Sequence, residues 1–256
     1  MNGGRMENNK IKFSELYENF TGSGNINGKY WIVGLESSGE VDFANPEDET
    51  VKVLNTRNFY SILEHYNDFN QETDNQYEKS FLGLEKKLLI SLNMSDFHIV
   101  KYLNGKEYFH YPKYGQIFRT NLFMFNIKGT GKELNNSYES FINFETNLDR
   151  TTLYDNYILR LRANSLRQKI DSEEPKVIIA MIPYKDYSKQ MFEFFNNIYR
   201  NSFRDNSKDE LHLESGNYIT EFSSENPNIR LIHIPQEFRR NLTQNDFNKI
   251  AQHFKL

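Results

Sequence analysis

Four short runs rich in β-branched and aromatic residues are the feature that most constrains how this chain can fold. They lie at residues 30–33, 118–122, 177–181 and 230–232, with segments of helical spacing between them. Short buried runs of this kind are typical of neighbouring parallel strands covered on both faces. Strands that alternate with helices favour the α/β class, so we predict a three-layer α/β/α sandwich with a mainly parallel central sheet.

The segments between and after these runs carry apolar residues at the spacing of helices. Thr243 and Asp246, three residues apart, form the capping-box pattern that begins a helix. Arg162 and its neighbouring arginines are predicted to lie on the solvated flank of their helix. Polar residues 201–216 predict a loop, and residues 218–222 predict an edge strand. The predicted helices cover residues 59–66, 81–92, 154–171, 187–198 and 243–254.

Length and composition indicate one domain made of residues 1–256, of which residues 1–12 are expected to be flexible. Only 38% of the residues are hydrophobic, but 21 Phe and 16 Tyr supply bulky core side chains that a disordered chain lacks. A formal net charge of -4 argues against a surface coated with DNA-binding charge, although it allows a local basic face.

The residue content also limits the chemistry and the compartment. The chain has no cysteine, which excludes disulfides, a thiolate nucleophile and every zinc or iron-sulfur site that needs sulfur ligands. No apolar stretch approaches the roughly 20 residues that span a bilayer, and the N-terminal segment has no hydrophobic signal core. We therefore expect a cytoplasmic protein with no membrane association.

Polar side chains lie at the ends of three of the predicted strands. Glu36 follows the first strand, Asn121 lies in the second, and His233 lies at the end of the fourth. Because the carboxyl ends of parallel strands meet at one edge of a sheet, we expect these residues to form one pocket. A carboxylate repels phosphate, so the set suits a planar heterocycle better than an anion. The other histidines show no metal-ligand spacing, and we expect neither metal nor cofactor.

Several short motifs, taken in order, resemble those of the uracil-DNA glycosylase superfamily. GLESSG is similar to the first motif of that family, TRNFYSIL to the segment after it, RTNL to its asparagine motif, and HIPQ to its late His-Pro-Ser motif. The resemblance implies a uracil-DNA glycosylase-like fold with DNA as partner. It also implies a monofunctional hydrolase that flips a modified or damaged base and cleaves its N-glycosidic bond, leaving an abasic site.

The same resemblance implies a role for each candidate residue. Glu36 would orient or deprotonate water and stabilise the cationic sugar that forms as the bond breaks. His233 would hydrogen-bond the departing base, and Asn121 would read the flipped base through its amide. Candidates for stacking on the base are Phe43, Phe59 and Tyr60, and candidates for contacting DNA are Ser37, Ser38, Phe238, Arg239 and Arg240.

The chain departs from the family pattern at two places. Ser37 and Ser38 replace the usual proline-glycine, and Ile234 separates His233 from Pro235. These changes indicate either an altered pocket or an inactive relative. An altered pocket suits a bulky modified base, such as those in phage DNA, and would serve repair or antiviral defence.

A noncatalytic nucleic-acid or protein-binding module on the same scaffold is the alternative that the sequence leaves open. A dinucleotide site is disfavoured because Glu36 stands where G-x-G-x-x-G has its second glycine, which would put an anion beside pyrophosphate. A serine hydrolase is disfavoured because neither Ser37 nor Ser38 lies in a G-x-S-x-G motif.

Overall fold

The computed structural model describes most of the strands and helices, with gaps between them. The described residues are 11–19, 22–35, 81–94, 98–101, 107–110, 115–123, 142–143, 153–170, 176–182, 184–235 and 242–256. The strands are β1 (Ile11–Lys12), β2 (Ser23–Gly24), β3 (Tyr30–Gly34), β4 (His98–Lys101), β5 (Glu107–His110), β6 (Ile117–Asn121), β7 (Ile142–Asn143), β8 (Lys176–Met181), β9 (Phe203–His212), β10 (Tyr218–Ser224) and β11 (Ile229–His233).

A seven-stranded mixed sheet with the order β2-β6-β3-β8-β11-β10-β9 forms the centre of the described fold. The four adjacent strands β6, β3, β8 and β11 are parallel to one another. These are the four strands predicted from the sequence, and the prediction that they are neighbours in one sheet is confirmed. The sheet is less parallel than expected, because β2 at one edge and β10 and β9 at the other are antiparallel.

The antiparallel edge includes an element that the sequence pattern did not predict. Residues 201–216 were expected to be a loop, but β9 occupies ten of them and pairs with β10. Residues 204–210 are all exposed, so the strand lacks the apolar alternation that normally identifies one. Backbone pairing with β10 stabilises β9 instead, and β10, which was predicted to be the edge strand, has a neighbour on each side.

The described helices are α1 (Phe13–Asn19), α2 (Phe81–Ser91), a π-helix (Leu153–Arg162) that continues as α3 (Ala163–Lys169), α4 (Tyr184–Ile198) and α5 (Gln244–His253). They cover both faces of the sheet, as predicted. On face A, Trp31 and Val33 of β3 belong to an apolar core with residues of the π-helix, α1, α3 and α4. On face B, Tyr30 and Ile32 belong to a second core with residues of α2 and α5. None of the helices in the described ranges is long and apolar enough to cross a membrane.

The π-helix changes which side chains reach the core. Tyr157 and Ile158 are buried, and the next buried pair is Arg162 and Ala163, five residues further on. This matches the i to i+5 hydrogen bonding of a π-helix, whereas the prediction used a period of 3.6 residues. Arg162 is therefore buried in face A rather than solvated, which corrects the prediction.

The first residues of the segment expected to be flexible lie outside the described ranges, but its last two do not. Ile11 and Lys12 form β1 and pair in parallel with Ile142 and Asn143 of β7. The predicted helix at residues 59–66 also lies outside the described part of the chain.

The predicted capping box at the start of α5 is confirmed. The Thr243 hydroxyl accepts from the Asp246 backbone N–H, and the Asp246 carboxylate accepts from the Thr243 N–H at 2.8 Å. We expect Thr243→Ala to lower the free energy of unfolding by about 1 kcal/mol, since one N-terminal donor of the helix loses its partner. Urea unfolding measures the loss. Thr243→Ser keeps the hydroxyl and should stay near the wild type, and an equal loss in both variants would contradict a capping role.

Candidate functional site

The order of the parallel strands gives the sheet a topological switch point between β3 and β8. From β3 the chain proceeds through α2 on face B to β6, and from β8 it proceeds through α4 on face A to β11 on the opposite side. Ligands of open α/β sheets bind beside such a switch point, outside the carboxyl ends of the strands. We call this end of the sheet the carboxyl edge, which comprises residues 34–35, 121–123, 181–182 and 233–235.

Backbone bonds extend the pairing of β3 and β6 past the ends of both strands. The Leu122 N–H donates to the Gly34 carbonyl at 2.8 Å, and the Phe123 N–H donates to the Leu35 carbonyl at 2.7 Å. These residues are buried, with Leu122 and Phe123 in the face A core. The backbone is therefore held as far as Leu35, which directly precedes Glu36 in the sequence.

Arg162 secures the end of β6 from face A. Its guanidinium donates to the Leu122 carbonyl and, at 2.6 Å, to the Thr120 hydroxyl, and it lies 5.6 Å from the centre of the Phe194 ring. The side chain is fully buried, and burial lowers the pKa of Arg162 to about 9. The group therefore remains a cation at neutral pH.

His233 makes a comparable contact at the end of β8. Its Nε2 lies 2.5 Å from the Ile182 carbonyl oxygen, and because a carbonyl can only accept, Nε2 carries the proton and donates. The imidazole is fully buried, 6.4 Å from the centre of the Phe222 ring. Burial lowers the pKa of His233 to about 4, against a smaller opposing effect of the bond to Ile182. The imidazole is neutral at pH 7.

This buried imidazole should make stability depend on pH. The unfolded chain takes up the His233 proton near the ordinary pKa of roughly 6.5, whereas the folded protein takes it up near pH 4. The contribution of the neutral His233 imidazole to the free energy of unfolding is then fully present above pH 6.5. It falls by about 3 kcal/mol as the pH drops towards 4. His233→Gln keeps a donor but cannot titrate. Urea unfolding between pH 7 and 4.5 should show a shallower decline for this variant, and parallel curves would contradict the expectation.

The structure does not bring Asn121 and His233 together. Asn121 ends β6 and is level with Gly34, whereas His233 ends β11 and is level with Ala180 and so with Val33. Two strands separate them, which corresponds to roughly 14 Å between their Cα atoms. Their positions along the strand direction differ by one residue. Because successive side chains of a strand point to opposite faces of the sheet, Asn121 is directed towards face B and His233 towards face A. The expectation of one pocket containing both is corrected.

The remaining predicted site residues lie outside the described ranges, so no geometry is assigned to them. Among the described residues, no group of three or more histidine or acidic side chains is arranged to hold a metal ion. The residues outside the description are Glu36, Ser37, Ser38, Phe43, Phe59, Tyr60, Phe238, Arg239 and Arg240.

Sequence reasoning missed two residues that contact or adjoin the carboxyl edge. Arg162 was assigned to a solvated flank, and Thr120 was not identified as a candidate within its strand. The pair of apolar residues at 157 and 158 and the alanine at 163 carry the five-residue spacing of a π-helix, which is the signal that could have identified Arg162 as buried.

Comparison with known proteins gives no relative: no family model, no curated protein and no solved structure matches this chain.

Proposed function

We propose that this chain is a DNA glycosylase-like hydrolase of the uracil-DNA glycosylase type, acting on a modified or damaged base. The observation that supports the proposal is the position of Glu36 in the sequence, one residue after Leu35 at the switch-point end of β3. Ligand sites of parallel sheets lie beside this point, and a carboxylate there suits a reaction that develops positive charge on a sugar.

The proposed reaction is hydrolysis of the bond between C1' of the sugar and a nitrogen of the base. The C1'–N bond breaks, and the base leaves with the electron pair. A water oxygen bonds to C1', and its proton passes to Glu36 and then to the leaving base or to solvent. Glu36 also stabilises the cationic sugar while that charge exists. The products are a free base and an abasic site.

Asn121 keeps its proposed role, while the role of His233 changes. Asn121 ends β6, in register with Gly34 of the neighbouring β3, and an amide carries the two kinds of group, a donor and an acceptor, that reading a flipped base requires. His233 is fully buried and donates to Ile182. We therefore propose that His233 supports the end of β8 rather than contacting the departing base.

Residues 236–241 connect the end of β11 with α5 and carry the proposed DNA contacts. We expect Arg239→Ala combined with Arg240→Ala to weaken binding to every DNA sequence, because phosphate contacts carry no base information. The salt dependence should flatten by about one unit of slope per lost contact. Fluorescence anisotropy at several salt concentrations measures both effects. Arg160→Ala with Arg167→Ala removes the same charge from the exposed helix surface and serves as control. Equal slopes for both double variants would contradict the assignment.

Base release itself is tested with a panel of DNA duplexes and single strands. The panel contains uracil, oxidised, alkylated and bulky modified pyrimidines, and alkaline cleavage detects abasic sites after incubation. We expect cleavage at one class of base. The alternative, a noncatalytic nucleic-acid or protein-binding module, predicts no abasic site on the whole panel.

A further inference from the structure

We infer that Arg162 is a positioning residue for Gly34 and Leu35 at the end of β3, and that it acts through the end of β6. The inference rests on the proposed function for its catalytic consequence, but its structural part can be tested without any activity. It is carried by three consecutive sets of hydrogen bonds among buried groups.

The first set joins Arg162 to β6. The guanidinium donates to the Thr120 hydroxyl and to the Leu122 carbonyl, which lie on either side of Asn121 in the sequence. The Arg162 side chain comes from the last residue of the π-helix, so it reaches β6 from face A. Both the strand end and the residue proposed to read the base are thus held by one cation.

The second and third sets join β6 to the end of β3. The amides of Leu122 and Phe123 donate to the carbonyls of Gly34 and Leu35. Leu122 therefore accepts from Arg162 with its carbonyl and donates to Gly34 with its amide. The path from the guanidinium to Leu35 contains only buried groups, and the next residue along the chain is Glu36.

A purely structural role explains this arrangement poorly. Burying an ion costs several kcal/mol even after the protein relaxes, and apolar residues of similar volume often stabilise a core at least as well. What the guanidinium offers is a planar fork with donors fixed in direction, which matches two acceptors spaced along one strand. A lysine ammonium lacks that fixed fork. The geometry therefore favours a role for Arg162 in orienting the carboxyl edge over a role in stabilising the core.

Three variants separate positioning from stability. Arg162→Met removes the donors and keeps an apolar side chain of comparable length. Thr120→Val removes one acceptor of the guanidinium with little change of volume. It tests the same arrangement independently if Arg162→Met folds poorly. Lys176→Met is the control, because Lys176 is also a buried cation that donates to a carbonyl, that of Asn27, but at the opposite end of the sheet.

Two measurements on these variants decide the question. Amide hydrogen exchange, read by NMR, reports on the Leu122 and Phe123 bonds whether or not the protein has activity. We expect exchange of these two amides in Arg162→Met to accelerate at least about 10-fold relative to amides of α5, a helix that contains none of the changed residues. Single-turnover base release should fall roughly 10- to 100-fold, with little change in DNA affinity, since small misplacements of reacting groups are costly.

The outcomes are distinguishable. Unchanged relative exchange at Leu122 and Phe123 in Arg162→Met and Thr120→Val would overturn the inference, and so would an equal acceleration in Lys176→Met. If exchange accelerates as expected but the wild type releases no base from any DNA, the proposed function fails while the positioning of the β3 end by Arg162 stands. If the wild type is active and Arg162→Met turns over at the wild-type rate, the catalytic part of the inference is wrong.

Discussion

Replacing Glu36 with glutamine is expected to lower the rate of base release by roughly 10²-fold or more while DNA affinity stays nearly constant. Glutamine keeps the size of the side chain but cannot accept a proton from water or balance the charge of a cationic sugar. Single-turnover kinetics on a DNA that the wild type cleaves, together with anisotropy of the same DNA, separates the two effects.

A matched substitution controls for loss of a carboxylate in general. Glu214 lies in the turn between β9 and β10, is 89% exposed and pairs with Lys249. Glu214→Gln should release base at the wild-type rate. If Glu36→Gln also retained that rate, Glu36 would not be the catalytic carboxylate.

The second large effect is expected at the buried ion pair between β6 and α2. Arg119 Nε lies 3.1 Å from Glu85 Oε2, and the exposed fractions of the two side chains are 8% and 0%. Arg119→Ala would leave a buried carboxylate without this partner, and we expect the free energy of unfolding to fall by about 3–5 kcal/mol. Urea unfolding at pH 7 measures the loss.

Two further variants test whether burial of the charge is the cause. Arg119→Met combined with Glu85→Leu removes both charges and should recover most of the loss, because no uncompensated ion remains. Lys189→Ala breaks an exposed pair with Glu193, in which Lys189 is 86% exposed, and should cost less than about 1 kcal/mol. A double variant as unstable as Arg119→Ala would show that packing, not charge, accounts for the effect.

The central strands could be predicted from the sequence because their burial is reflected in their composition. Residues 177–181 and 230–232 are covered on both faces of the sheet, so nearly every residue in them is apolar. Helices α4 and α5 were predicted for a related reason, since their buried side chains follow a regular α-helical spacing. In these elements, the residues that the sequence pattern marks as apolar are the ones that the fold buries.

The relation between Asn121 and His233 could not be predicted in the same way. Each residue was correctly assigned to the end of a strand, but the face on which its side chain lies depends on register across β6, β3, β8 and β11. Register is set by backbone pairing between elements far apart in the sequence, and a difference of one residue reverses the face. The residue pattern within a single strand does not specify its register with the other strands.

The environment of Arg162 was missed for a local reason. Its helix has i to i+5 bonds, so a period of 3.6 residues assigns the wrong residues to the core. The result is a buried cation beside the carboxyl edge. Arg162 holds the end of β6, and His233 contacts the end of β8, so the two side chains secure the strands on either side of β3.

The most direct test is to quantify both products of the proposed reaction from one DNA. Free base is measured by mass spectrometry and abasic sites by alkaline cleavage in the same sample, with the Glu36→Gln protein as reference. We expect equal molar amounts of the two products from the wild type and at most about one hundredth of that rate from the variant. DNA that is bound but yields neither product across the panel, or products that form at the same rate with Glu36→Gln, would contradict a glycosylase that uses Glu36.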